Sequence, residues 1–219
     1  MRYETPETIG EAVSLLAIAE GSGRVLAGGT DLLVQLRSGV VEPGVVVDIK
    51  KIAETREITA ENGGFRVGAA VTGAELDEHK ALKKLWPGVV EAVELIGSTQ
   101  IQGRASMGGN LCNASPAADS VPALIAAGAL CHIAGLDGER TLPVEGFCTG
   151  PGMTNLKSGE FLVSFTLPSR PPYSGDAYLR FIPRTEMDIA VVGVGVSLTL
   201  DSNGNCILAR VGLGAVAAT

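Results

Sequence analysis

Gly103-Arg104-Ala105-Ser106-Met107-Gly108-Gly109-Asn110-Leu111-Cys112-Asn113-Ala114-Ser115-Pro116-Ala117-Ala118-Asp119 is a run of small residues with charge only at Arg104 and Asp119. It reads as a long loop whose chemical equipment is backbone amides, and unpaired amides suit a bound polyanion. A second turn, Ala27-Gly28-Gly29-Thr30-Asp31, follows the apolar run Val25-Leu26-Ala27 and precedes Leu32-Leu33-Val34-Gln35-Leu36. That pattern predicts a strand, a turn and a helix. Glycine lets a backbone approach a ligand closely, so two such turns suit the two phosphates of a dinucleotide. Neither turn matches Gly-x-Gly-x-x-Gly or carries Gly-Lys-Ser/Thr, which sets aside the common dinucleotide and nucleotide-hydrolysis loops. Asp119 has two readings: acceptor for ribose hydroxyls, or N-cap of a helix starting at Ser120.

The chain of 219 residues is 46% hydrophobic, enough for a buried core in one large domain or two small ones. Lys and Arg number 17 against 24 acids, a net charge of −7 with no dense basic run, which argues against a nucleic-acid partner. The apolar stretch Ala190 to Leu200 is shorter than the ~20 residues of a spanning helix, so no membrane insertion is expected. Met1 to Glu7 lacks the apolar core of a signal peptide, and a cytoplasmic location is the expectation. Four cysteines, Cys112, Cys131, Cys148 and Cys206, are too widely spaced for a cluster or zinc site and read as plain thiols. Of two histidines, His79 in a charged stretch reads as solvated and His132 as a satisfied core residue. No metal site or hydrolytic triad can be assembled from these parts.

Along the chain, Thr5-Pro6-Glu7 reads as the start of a helix carrying Ile9, Ala12, Val13, Leu16 and Ala19. Strands are predicted at Val25 to Ala27 and Val45 to Asp48, closing a unit of about 1–55. A hairpin turning at Asn62-Gly63-Gly64 is followed by helices over about Gly73 to Leu85 and Pro87 to Ile96. A helix started by Ser120 and stopped by Gly128 leads to strands at 129–134, 140–143 and 161–167. Ser169 to Gly175 reads as a linker and domain boundary. Beyond it lie strands at 177–182, 190–200 and 206–213, a small sheet with little to cover its second face.

Ala27-Gly28-Gly29-Thr30-Asp31-Leu32, Ser106-Met107-Gly108-Gly109-Asn110-Leu111 and Ala114-Ser115-Pro116-Ala117-Ala118-Asp119 resemble the FAD-binding medium subunit of molybdenum hydroxylases. That family includes carbon monoxide dehydrogenase medium chains and xanthine dehydrogenase flavin domains. The resemblance runs from about Tyr3 to the end of the chain, with a third echo at Arg184-Thr185-Glu186-Met187-Asp188-Ile189-Ala190. It implies an α+β fold: a two-subdomain FAD-binding domain of the vanillyl-alcohol oxidase (PCMH) type over 1–170, with subdomains of about 1–55 and 56–170. A partial C-terminal α+β sheet domain, 171–219, would follow. Relatives usually continue with a helical segment on that sheet, and some carry a cysteine-bearing insertion for an extra cluster; both are missing from this sequence.

By the same resemblance, Leu26, Ala27, Gly28, Gly29, Thr30 and Asp31 would wrap the FAD pyrophosphate, with Ser106, Gly108, Gly109 and Asn110 on its other side. Asp119 would bind the adenosine ribose. Ile101, Cys112 and Asn113 would meet the flavin or its ribityl chain, and Asp188 and Ile189 would approach the isoalloxazine ring. No catalytic acid, base or nucleophile is asked of this chain. The implied partners are a molybdenum-cofactor large subunit and a [2Fe-2S] small subunit, as a dimer of heterotrimers. Electrons would pass from iron–sulfur clusters through FAD to an external acceptor: NAD, quinone, oxygen or a cytochrome. Two other readings are a self-sufficient flavin oxidase of the same fold and a non-catalytic assembly subunit.

Overall fold

The computed structural model describes residues 1–185 and 187–218. Glu186, inside the third echo, and Thr219 lie outside the described residues. The chain opens with a strand that has no counterpart in the sequence reading, β1 (Arg2–Glu4). Helix α1 (Ile9–Ile18) is capped by Thr8, which accepts from the Glu11 amide while Glu11 reaches back to the Thr8 amide. The expected start at Thr5 is therefore corrected: Thr8 has an acid three residues on and Thr5 does not. β2 (Gly23–Leu26), α2 (Leu32–Arg37) and β3 (Val45–Asp48) follow, and the three strands form a parallel sheet of order β1-β3-β2. Ala12, Val13 and Leu16 of α1 pack on Val45 and Val47 of that sheet.

The hairpin β4 (Ile58–Glu61) and β5 (Gly64–Gly68) turns through Asn62 and Gly63 with φ of 50° and 77°. Positive φ at both positions matches the strand twist. The helix expected over 73–85 is instead two, α3 (Gly73–Glu78) and α4 (Lys80–Leu85). His79 makes the break, its Nδ1 accepting from the Leu82 amide at 3.1 Å and its ring lying edge-on to Phe65. It is a capping residue rather than a solvated one. After α5 (Pro87–Glu94) and α6 (Thr99–Gln102), the small-residue run is not all loop, because α7 (Met107–Cys112) lies within it. Ser106 Oγ accepts from the Gly109 amide at 3.1 Å and starts that helix despite its two glycines.

Helix α8 (Ser120–Ala127) ends at Gly128 in the left-handed region. Asp119 makes no capping bond there; Asn110 Oδ1 does, accepting from the Ser120 amide at 3.1 Å and its hydroxyl at 2.7 Å. The remaining strands are β6 (Leu130–Gly135), β7 (Gly138–Pro143), β8 (Cys148–Gly150), β9 (Met153–Thr154), β10 (Phe161–Leu167), β11 (Ser174–Phe181), β12 (Val192–Leu200) and β13 (Cys206–Gly214). A five-stranded antiparallel sheet runs β4-β5-β10-β6-β7, with β10 at its centre. Its apolar sequence is buried on both faces, which a central strand requires. Phe161 and Val163 join the core around α1, and Phe165 and Leu167 the larger core under α3, α5 and α8.

The C-terminal sheet, β11-β12-β13, packs its inner face on α8. Gly195 and Gly212 are cross-strand partners there, and a Cβ on either would sit 2.4 or 2.3 Å from the Pro122 carbonyl oxygen. Only glycine lets the helix lie this close. Two ion pairs tie the sheet down. Arg180 donates to Asp119 at 3.1 Å and to the Leu95 carbonyl, while the Tyr178 hydroxyl donates to Asp119 at 3.0 Å. Arg170 stacks on Trp86 and pairs with buried Asp176, so the segment read as a linker is anchored. The outer face is apolar and open: Leu179 is 76% exposed, Phe181 62% and Ile207 65%. No helix among the described residues is long and apolar enough to cross a membrane.

Burial raises the Asp119 pKa, and Arg180 and Tyr178 oppose it. Removing Arg180 leaves a buried carboxylate short of its partner, a change that costs about 3 kcal/mol or more. Arg180→Met is accordingly expected to lose about that much in urea unfolding, and Asp119→Asn in the same chain to recover part of it. His132, half-buried and 2.7 Å from Thr166 Oγ1, has its pKa lowered by burial and by Arg66. The folded state then binds this proton less readily than the unfolded state, so stability is lost as pH falls through about 6.5. Melting temperatures between pH 8 and 5 should show a shallower decline in His132→Gln, about the order of one titrating group.

Candidate functional site

A cavity of about 560 Å³ opens between the carboxyl end of β2 and helix α7. Ligands of open parallel sheets sit at the carboxyl ends of strands, and the volume suits an extended small molecule. Its first wall is the turn Ala27 to Asp31, its second the stretch from Ala105 to Asn113 with gaps, and its third residues from Gly152 to Leu162. The first two walls touch. A Cβ on Gly28 would stand 1.8 Å from the Arg104 carbonyl oxygen, so only a glycine backbone fits between them.

Among the described residues, the amides of Gly28, Gly29, Thr30, Asp31 and Leu32 have no protein acceptor. Successive unpaired amides leading into a helix form a concave positive surface. On the opposite wall the Gly108 amide is likewise without a protein acceptor among the described residues, and Asn110 keeps its Nδ2 as a donor because Oδ1 serves Ser120. A hydrogen-bond chain closes one end, from Gln35 Nε2 to Asn113 Oδ1 at 3.3 Å and from Asn113 Nδ2 to Asp31 Oδ1 at 3.4 Å. The charged lining is Arg24, Asp31, Lys157 and Glu160. Arg140 holds Glu160 with two bonds of 2.8 Å and keeps its carboxyl below the usual range.

Of the expected site residues, Ala27, Gly28, Gly29, Thr30, Asp31, Ser106, Gly108, Gly109, Asn110, Cys112 and Asn113 line this one cavity. Leu26 lies in the core behind it. Ile101 packs on Gly97, and Ile96 takes the place beside the cavity. Asp119 faces Arg180 and Tyr178, away from the lining. Asp188 pairs with Arg184 at 2.8 Å on the surface and Ile189 is 75% exposed, both outside the cavity wall. Cys112 borders the cavity as an exposed, free cysteine.

Sequence reasoning missed the third wall, including Thr154, Leu156, Lys157 and Ser158. No motif marks it. Positive φ at Gly152 and Gly159 was its one local signal, and β10 carries it to the site from about fifty positions beyond α7. The residues present fit a diphosphate-bearing cofactor: unpaired amides for the anion, a glycine contact that clears the backbone, and apolar surface from Leu16, Ile49, Ile96 and Phe161 for an aromatic body.

Comparison with known proteins agrees. Residues 1–170 match the family model described as the FAD binding domain in molybdopterin dehydrogenase. The xanthine dehydrogenase FAD-binding subunit of Escherichia coli O157:H7 is 36% identical, over 99% of this chain and 74% of its own length. The carbon monoxide dehydrogenase medium chain of Hydrogenophaga pseudoflava is 31% identical over 92% of this chain and 70% of its own. A solved carbon monoxide dehydrogenase structure from the same organism superposes with a TM-score of 0.94, covering 100% of this chain and 76% of that one. With turns, cavity and fold in agreement, the chain belongs to the FAD-binding domain family of the molybdopterin dehydrogenases, and FAD is its cofactor.

Proposed function

We propose that this chain is the electron-transfer component of a multi-subunit molybdenum hydroxylase, taking electrons from [2Fe-2S] clusters on a small subunit and handing them to an external acceptor. A molybdenum-cofactor large subunit would carry out substrate hydroxylation, the whole forming a dimer of heterotrimers. The observation that carries the reading is the row of amides from Gly28 to Leu32, without a protein acceptor among the described residues, facing α7 across one cavity. Bound FAD supplies chemistry that accepts electrons singly and releases them in pairs.

The chain's own part is to bind and orient. The Gly28 to Leu32 amides would grip one side of the pyrophosphate, and Gly108, Gly109 and Asn110 the other. Neutral amides suit this role in an acidic protein, since their dipoles are fixed and need no counter-charge. Asn113, bonded to both Gln35 and Asp31, would hold the two walls in register. Thr154, Leu156 and the carbon stem of Lys157 would shield the cofactor from the third side.

The isolated chain should bind FAD in a one-to-one ratio with a flavin absorption spectrum. Gly109→Asp is a clean probe, because a Cβ there meets only Ser106 Oγ at 3.3 Å and the fold should persist. It should weaken FAD binding about 100-fold, or about 2.7 kcal/mol, through anion repulsion in the phosphate site. Unchanged FAD affinity in that folded variant would refute the assigned site. Gly28→Ala should do as much by forcing the two walls apart, whereas Gly103→Ala, with nothing within 4 Å of its Cβ, should bind FAD normally. For the electron-transfer role, flavin in the chain co-purified with its partners should bleach on adding substrate, and flavin in the chain alone should not. Bleaching of the lone chain by substrate would favour an oxidase.

A further inference from the structure

In a trans peptide the C=O and N–H point in opposite directions, so fixing one aims the other. The Ala27 carbonyl accepts from Lys50 Nζ at 2.9 Å. The N–H of that same peptide unit belongs to Gly28, which lines the cavity and has no protein acceptor among the described residues. The next unit repeats the arrangement, its Gly28 carbonyl accepting from Arg104 Nε at 3.4 Å while the Gly29 amide has no protein acceptor among the described residues. Lys50 itself does not line the cavity.

The ammonium group is held in turn. Asp48, at the end of β3, lies 2.7 Å from Lys50 Nζ through Oδ1, which also accepts from the Lys50 amide at 3.0 Å. Its other oxygen accepts from the Tyr3 hydroxyl of β1 at 2.5 Å. A relay thus runs from Tyr3 through Asp48 and Lys50 to the Ala27 carbonyl. Burial works against the charged form of Asp48, but these donors outweigh it and keep the carboxyl below its ordinary range. With a carboxylate this near, the ammonium is nearly neutralised as seen from the cavity. Orientation of the peptide, rather than long-range attraction, is what Lys50 contributes.

We propose that Lys50, braced by Asp48 and Tyr3, is a positioning residue that turns the Ala27–Gly28 peptide so that its N–H faces the cofactor's diphosphate. This rests on the FAD reading above. It adds a residue outside the cavity that acts through a carbonyl it pulls away from the anion. Without that bond the peptide can rotate and present its oxygen to the phosphates.

The test compares Lys50→Met, Lys50→Arg and Tyr3→Phe in the full chain by titration with FAD and with riboflavin, which has no phosphate, alongside apo-protein melting temperatures. Lys50→Met should weaken FAD at least tenfold with riboflavin affinity unchanged, and Lys50→Arg should restore FAD to within about threefold, since a guanidinium can still donate to the carbonyl. Tyr3→Phe, which leaves the Asp48–Lys50 pair in place, should have a smaller effect than Lys50→Met. If Lys50→Met does not fold, Lys50→Leu, which likewise has no donor, carries the same expectation. FAD affinity unchanged in the Lys50 variants, or lost in parallel with riboflavin, would overturn the positioning role while leaving the cofactor reading intact. Failure of the unsubstituted chain to bind FAD would overturn both.

Discussion

The backbone of Gly28 lies against the carbonyl of Arg104, closer than any side chain would allow. That contact joins a strand-to-helix turn of the parallel sheet to a segment about seventy-five residues later, and the cavity exists because they meet. Separate, each turn would expose its amides to water and select nothing. Together they form two walls of donors at a distance set by packing, a surface whose dipoles are already arranged to suit an anion.

The rest of the molecule holds those walls still. β10 is buried on both faces and gives Phe161 and Val163 to the core around α1 and Leu162, Phe165 and Leu167 to the larger core under α5 and α8, so the two cores share one strand. Asn110 links the walls to α8 by receiving both donors of Ser120. On the other side of α8, Gly195 and Gly212 bring the C-terminal sheet against Pro122, and the Arg180–Asp119 and Arg170–Asp176 pairs fix it. Buried pairs of this kind add little net stability but define one arrangement, because any other leaves a charge unpaired.

Histidine and aspartate show how tertiary context redirects polar residues. His79 looked like part of a solvated charged stretch, yet its ring nitrogen starts α4 and its edge meets Phe65. Asp119 had two local readings, ribose acceptor and helix cap; it makes no capping bond, and its oxygens receive Arg180 and Tyr178 from a sheet some sixty residues later. Neither partner is visible in a local window. The same holds for Thr8, where the pairing with Glu11 outcompetes an apparently sound start at Thr5-Pro6.

Local chemistry was enough for the strand-turn-helix at Ala27 to Asp31, the hairpin at Asn62-Gly63, the stop at Gly128 and most strands, because each depends on backbone preferences and on which residues alternate in burial. The glycine-rich character of both turns was legible for the same reason, since it is written in their own residues. Which residues share the cavity was decided only by long-range pairing. Pairing of β10 with β5 and β6 brings the Gly152 to Leu162 wall to the site, and packing takes Asp119 and Ile101 out of it. Distances between segments far apart in the chain are set by sheet register and core volume, and no stretch of sequence carries those alone.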